Sequence, residues 1–320
     1  MARKSKKPAA PAWQPDDATP RDRHRLAGLE PDNLLAFMAL LGLLRALEHA
    51  RPDWRPRAFW DVETQPWRPV LTLAQPATEA EVARAAKEGV EKSCAHHAAT
   101  GEAKDLKFSS EEFLGLRNAA ATEGRAVLDA LCCPSALRDD RTLWPTPFAF
   151  MFGQGHQHFL ERFRNTPAQG AKMGCVARAL FIPWQRQDNA DGFRWDPAED
   201  RRYALRAINP SGDKITTELG ANVLAAISLP LFPVYAVRRG GQMRVLAPMN
   251  RFGANGRIEF TWPLWTRAAS LRTIRALLQH PELAADHPNP ANIPHSAVVL
   301  RAQRISVGKY FNVTPAAPPA

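Results

Sequence analysis

The chain lacks most of what would make it a secreted, membrane or signature-bearing catalytic protein. It has four cysteines (Cys94, Cys132, Cys133 and Cys175) in 320 residues, and none sits in a Cys-x-x-Cys pair. Adjacent Cys132 and Cys133 cannot bridge each other without strain, so a disulfide scaffold is excluded and reduced thiols in a cytoplasm are expected. No stretch of eighteen consecutive apolar residues is present, so no bilayer-spanning helix is expected. Met1 to Pro8 is basic but leads into Pro, Ala and Asp, which is not a secretory signal. There is no Walker A loop, no Gly-x-Ser-x-Gly elbow and no His-Glu-x-x-His. Gly153 and Gly155 lack the third glycine and the preceding strand of a dinucleotide fingerprint, and read as a turn. The expectation is a protein that is not an enzyme, with no catalytic residue, cofactor or metal.

Acidic residues are also scarce, and that shortage is informative. Lys and Arg number 42 against 32 Asp and Glu, a net charge of +10, and the isoelectric point is near 9.8. The excess is concentrated. From Leu231 to Ala320 eleven basic residues face only Glu259, Glu282 and Asp286, a net charge of +8. Such a surface suits a polyanionic partner.

Residues 1–25, with four prolines among Lys, Asp and Ala, read as a disordered tail, and 315–320 as a second loose end. Asp32 or Asn33 can cap a helix over 34–47 that is apolar around nearly its whole circumference, so it should lie inside something. Strand-like patches at 58–62 and 67–73 follow. Capped starts then predict helices over 79–94 and 110–131, with a loop over 96–107 between them. A segment over 145–164 mixes aromatics with glycines and histidines. Beyond residue 193 the texture turns to strands (202–208, 231–238, 243–246, 258–262, 297–304 and 309–313) interrupted by helices at 216–229 and 268–279. The fold class is α+β, with a mainly helical region over 26–185 and a mixed, basic α+β region over 186–314.

Most chemical constellations are weak. His156-Gln157-His158 and His96-His97 lack the Cys, Asp or Glu neighbours of a metal site. The richest block runs from Phe193 to Lys214, where Trp195 and Tyr203 flank Arg201 and Arg202, and Asn209-Pro210-Ser211-Gly212-Asp213-Lys214 forms a turn. Arginine forks grip phosphates and aromatic rings stack on bases, while such a turn offers backbone N–H groups and an ammonium to a phosphate. The competing reading is that Arg201 and Arg202 pair with Asp196, Glu199 and Asp200. Amide and hydroxyl side chains that read groove edges are expected in the loops 154–157 and 209–214. The nucleic-acid-binding candidates are therefore Gln154, His156, Gln157, Trp195, Arg201, Arg202, Tyr203, Asn209, Ser211, Lys214, Arg251, Arg257, Arg304 and Lys309.

The run Gly28-Leu29-Glu30-Pro31-Asp32-Asn33-Leu34-Leu35-Ala36-Phe37-Met38-Ala39-Leu40-Leu41-Gly42-Leu43-Leu44-Arg45 resembles the opening helix of CRISPR-associated subunits of the type I-U/I-G kind. Trp195-Asp196-Pro197, Asp200 to Leu205, Gly220-Ala221-Asn222, Leu229-Pro230-Leu231 and Arg304-Ile305-Ser306-Val307-Gly308-Lys309 are similar to later blocks of the same proteins. The resemblance implies a non-catalytic, large-subunit-like member of a crRNA-guided surveillance complex (Cascade). Such a subunit reads the protospacer-adjacent motif, holds the displaced strand and presents the complex to a helicase-nuclease. The implied partners are crRNA, double-stranded target DNA with its displaced strand, other Cascade subunits and the helicase-nuclease, with no membrane. Two alternatives remain: an RNA-binding or RNA-processing accessory subunit of the same system, and a metal-dependent nuclease using Asp196, Asp200, Asp213 and His156.

Overall fold

A computed structural model describes residues 19–151, 158–170, 173–190, 192–199, 216–307 and 310–319. Their organisation follows from one helix. In α1 (Leu34–Ala50), Asn33 is the N-cap; its side chain accepts from the backbone N–H groups of Leu35 and Ala36 at 2.9 and 3.4 Å. Every residue from Leu34 to Leu47 is buried. With no polar face to offer water, α1 must be covered on all sides.

Two helices and two sheets cover it. On one flank lies α7 (Leu219–Ser228), also buried throughout. On another lies α2 (Glu79–Cys94), opened by a capping box between Thr78 and Glu81. A three-stranded antiparallel sheet, in the order β1 (Arg21–Arg25), β3 (Arg68–Ala77), β2 (Arg57–Asp61), supplies Trp60. A four-stranded antiparallel sheet, in the order β11 (Tyr310–Val313), β10 (Ser296–Val307), β9 (Ile258–Trp265), β8 (Asn250–Phe252), supplies Trp262 and Trp265. Phe37 of α1 stacks on Trp262 at 5.2 Å and meets Trp265 edge-on at 6.2 Å, and Trp265 meets Trp60 edge-on at 6.5 Å. Two of the three indole N–H groups are spent on the frame: Trp262 donates to the Pro31 carbonyl at 3.1 Å and Trp265 to that of Ala58 at 2.7 Å, while Trp60 Nε1 has no partner among the described residues. Buried aromatics of this kind need such partners.

The remaining elements pack around this centre. They are α3 (Ser110–Ala119), α4 (Thr122–Leu131), α5 (Phe159–Gly170), α6 (Met173–Phe181) and α8 (Leu271–Leu277). Two hairpins join them: β4 (Cys132–Leu137) with β5 (Leu143–Pro145), and β6 (Tyr235–Arg239) with β7 (Gln242–Leu246). The second turns through Gly240 and Gly241 at φ 55° and 80°, the left-handed pair that a two-residue hairpin demands. No helix of the described residues is long and apolar enough to cross a membrane.

The α+β class is observed, with differences in detail. The amino-terminal half carries five strands as well as helices. The expected tail over 1–25 is corrected at its end: Arg21–Arg25 is a strand because β3 offers it a free edge. The expected loose end at 315–320 is likewise tied down, with Ala316 donating to the Asp32 carbonyl and Ala317 exchanging hydrogen bonds with Arg301. The helix over 110–131 breaks where Ala120 and Ala121 take extended backbone. Much of the expected loop over 96–107 begins as a short 3-10 turn, Ala95–Thr100. One continuous apolar core runs from Leu26 to Ala316 and draws on both expected regions.

Gly42 shows how tightly α1 is held. A methyl group there would overlap the carbonyl of Leu224 in α7. Helix propensity alone favours alanine over glycine by about 0.5–1 kcal/mol. Overlap with rigid backbone reverses that sign, so Gly42→Ala should destabilise by about 1–3 kcal/mol in denaturant unfolding. A stabilised variant would show that α1 and α7 do not meet there.

Candidate nucleic-acid interface

The Trp195 block lies inside the molecule where it is described. Trp195 is fully buried, lies parallel to Phe193 at 4.5 Å, and donates through Nε1 to the Phe148 carbonyl at 2.9 Å. It therefore has no face to give a base, and its expected stacking role is corrected to a core role. Asp196 is buried too. It is gripped by Arg186 through Nε and Nη2 at 2.6 and 3.2 Å, and receives Asn33 Nδ2 at 3.0 Å. Its pairing partner is thus Arg186, ten residues upstream, and it ties the cap of α1 to the chain after α6. Glu199, also buried, accepts from Thr217 Oγ1 at 2.8 Å, while Asn222 Nδ2 donates to Thr217 Oγ1 at 2.9 Å. Burial, with the neighbouring Asp196 charge, pushes the Glu199 carboxyl up to about 7. Gln154, His156, Gln157, Arg201, Arg202, Tyr203, Asn209, Ser211, Lys214 and Lys309 lie outside the described residues, as do Asp200 and Asp213.

The three remaining candidates divide. Arg251 is consumed: it pairs with Glu259 at 3.3 Å and with Asp286, and donates to the carbonyls of Ala284 and Ala285. Its expected role as a phosphate contact is corrected to a structural one. Arg257 is exposed and donates to Gln303 Oε1 at 3.1 Å. Arg304 is the unusual member. Alternation along β10 places it with Leu300 and Ala302 on the face whose partners in β9 are Trp262 and Phe260. An arginine thus sits where the apolar face ends. Its guanidinium lies over the Phe311 ring at 4.5 Å and donates to the Pro147 carbonyl at 3.2 Å. No carboxylate faces it, and burial pushes its pKa down to about 10, so it stays charged at neutral pH.

Arg257 and Arg304 open onto one cleft of about 300 Å³ between the four-stranded sheet and the two hairpins. Trp144 and Pro147 form one wall, Arg244 enters from β7, and Phe252, Ser306 and Phe311 line the sheet side. Arg244 stacks over the Trp144 ring at 4.0 Å and is steadied by Gln242 Oε1 at 2.7 Å. Arg239 stacks over Phe252 at 4.3 Å and reaches the Gly256 carbonyl at 3.3 Å. Among the described residues, Arg239, Arg244, Arg257 and Arg304 have no carboxylate partner. Several arginines elsewhere are neutralised: Arg25 by Asp61, Arg45 by Glu123, Arg117 by Asp129, Arg178 by Asp188 and Glu218. Four arginines that have no carboxylate partner among the described residues thus meet at or beside this cleft, on guanidinium planes presented by aromatic rings and carbonyl oxygens. Such guanidinium planes can accept an anion and leave flat surface beside it.

Sequence reasoning counted Arg239 and Arg244 in the basic excess but did not single them out, and it missed Trp144, Phe252 and Phe311. The available signal was the alternation Leu300, Ala302, Arg304, which puts a cation on an inward face. Comparison with protein-family models, with curated proteins and with solved structures finds no match to this chain.

Two measurements follow from these buried charges. A carboxyl whose folded-state pKa lies above its ordinary 4.5 binds its proton more tightly when folded. The contribution of Glu199 is therefore full below about pH 4.5, declines as pH rises to about 7, and levels off beyond. Thermal melts should show Glu199→Gln gaining on the natural protein between pH 5 and 7, and parallel profiles would refute the buried ionisation. Arg304→Met should raise the melting temperature, because a half-buried cation with no carboxylate partner among the described residues gives way to an apolar side chain. It should at the same time weaken polyanion binding.

Proposed function

We propose that this chain is a non-catalytic nucleic-acid-binding subunit of a type I CRISPR surveillance complex (Cascade), large-subunit-like, with the arginine–aromatic cleft as a contact to the phosphate backbone. The observation that carries the reading is that Arg244, Arg257 and Arg304 line one cleft, with Arg239 stacked on its Phe252 wall, and none of the four has a carboxylate partner among the described residues. Retaining uncompensated cations at one place costs stability, and a polyanion offsets it on binding.

The resemblance of 28–45 and of the later blocks to type I-U/I-G subunits adds the biological setting: crRNA, target DNA with its displaced strand, neighbouring subunits and a helicase-nuclease, in the cytoplasm. In such a complex guide pairing reads sequence, so a protein subunit needs backbone charge and a few groove contacts. A cleft of arginines fits that need. Binding is also favoured over cleavage at Asp196, the one member of the nuclease quartet among the described residues, because Arg186 and Asn33 already occupy its carboxylate.

Affinity for duplex DNA should fall steeply with salt. Four phosphate contacts give a log–log slope of about −3.6, and an Arg239→Ala/Arg244→Ala double variant should bring it to about −1.8. Fluorescence anisotropy across a salt series measures both. A natural slope near zero, or an unchanged slope in a folded double variant, would sink the cleft as a backbone contact.

A further inference from the structure

The rim of the arginine cleft carries a reactive pair of residues that anion binding does not use. Asn255-Gly256 is the one Asn-Gly pair in the chain. It lies in the turn between β8 and β9, where Ala254, Asn255, Gly256 and Arg257 are all exposed. Gly256 and Arg257 line the cleft. Gly256 has φ 81°, a backbone conformation that favours glycine, so the turn itself calls for glycine after this asparagine.

An asparagine followed by glycine is prone to attack its own backbone. Closing a five-membered ring joins the carboxamide carbon to the next backbone nitrogen, and glycine has no Cβ to obstruct the approach. The turn brings the two together. Asn255 Oδ1 accepts from the Arg257 N–H at 3.0 Å, which draws the carboxamide over the intervening Gly256 peptide and polarises its carbonyl. The Gly256 N–H donates to the Gly253 carbonyl at 2.9 Å, and ring closure waits on the opening of that bond. At an exposed loop tip such a bond opens without unfolding the core. A methyl group on Gly256 would meet only the Arg239 guanidinium, at 3.4 Å, so no rigid wall confines the turn. Other asparagines are shielded: Asn33, Asn222, Asn250 and Asn312 are buried, and Asn289 precedes a proline, which has no N–H.

The reaction needs only water. The Gly256 nitrogen gives its proton to solvent and bonds to Asn255 Cγ. The Cγ–Nδ2 bond breaks, and the amide nitrogen takes a proton from water and leaves as ammonia. Water then opens the succinimide at either carbonyl, which leaves aspartate or isoaspartate at position 255. A neutral side chain has become a carboxylate. Arg239 donates to the Gly256 carbonyl at 3.3 Å, and Arg257 is two residues on. The new charge therefore arises beside two of the four arginines that have no carboxylate partner among the described residues, and it supplies the counter-charge they lack.

We infer that Asn255-Gly256 is a self-modification site, whose conversion to a carboxylate weakens the hold of the cleft on polyanions as the protein ages. The weakening rests on the nucleic-acid reading above; the conversion does not. The full chain, kept in neutral to mildly alkaline buffer, is sampled over weeks, digested with trypsin and followed by mass spectrometry of peptide 252–257. That peptide should gain about one mass unit ahead of every other asparagine-containing peptide, and faster as pH rises. Oligonucleotide anisotropy on the same samples should show a log–log salt slope shallower by about one unit, as should freshly made Asn255→Asp. Asn255→Gln, at an exposed position and requiring a larger ring, should keep the natural slope throughout. A peptide that stays unconverted in the folded protein, or converts no faster than the others, overturns the inference. So does an Asn255→Asp variant with the steep natural slope. The two readings fail separately: an unconverted turn with steep salt dependence leaves the cleft standing without its modification. A slope near zero in fresh protein removes the cleft and the weakening together, even where position 255 converts.

Discussion

Burial of α1 on every side is the constraint from which the architecture follows. A helix apolar around its circumference cannot lie on a surface, so α7, α2 and two sheets close over it. The one charged residue inside its buried run, Arg45, is met by Glu123 of α4. Closing two sheets over one helix brings Trp60, Trp262 and Trp265 around Phe37 and fixes how the sheets stand to each other. The four-stranded sheet thereby has an inner face that is apolar at its centre and runs out at Arg304.

The start of α1 also organises the polar interior. Asn33 caps the helix with its oxygen and donates to Asp196 with its nitrogen, and Asp196 in turn holds Arg186. Glu199, Thr217 and Asn222 extend this network to α7. These groups satisfy one another inside the protein, which is why Asp196 and Glu199 are structural. Buried polar groups survive when each finds a partner, and those that find none become informative.

Some described groups break that rule: the arginines of the cleft face no carboxylate, and Trp60 Nε1, the Asn250 carboxamide and Asn312 Oδ1 have no hydrogen-bond partner among the described residues.

Local pattern determined a good deal of this protein. The encircling apolarity of 34–47, the cap at Asn33, the capped starts at Thr78 and Ser109 and the α+β class all depend on residues close in sequence, and all are seen. The basic excess after residue 231 was equally plain from counting. Which of those cations is free was not, because neutralisation depends on partners far along the chain: Arg251 finds Asp286, thirty-five residues away, whereas Arg304, on the next face of the same sheet, finds no carboxylate. Trp195 read as a stacking aromatic because its neighbours are charged, but those neighbours pair with Arg186 and Thr217 and draw the ring inward. Composition fixes how much charge a chain carries; only the tertiary pairing of strands and helices decides where that charge is left uncancelled.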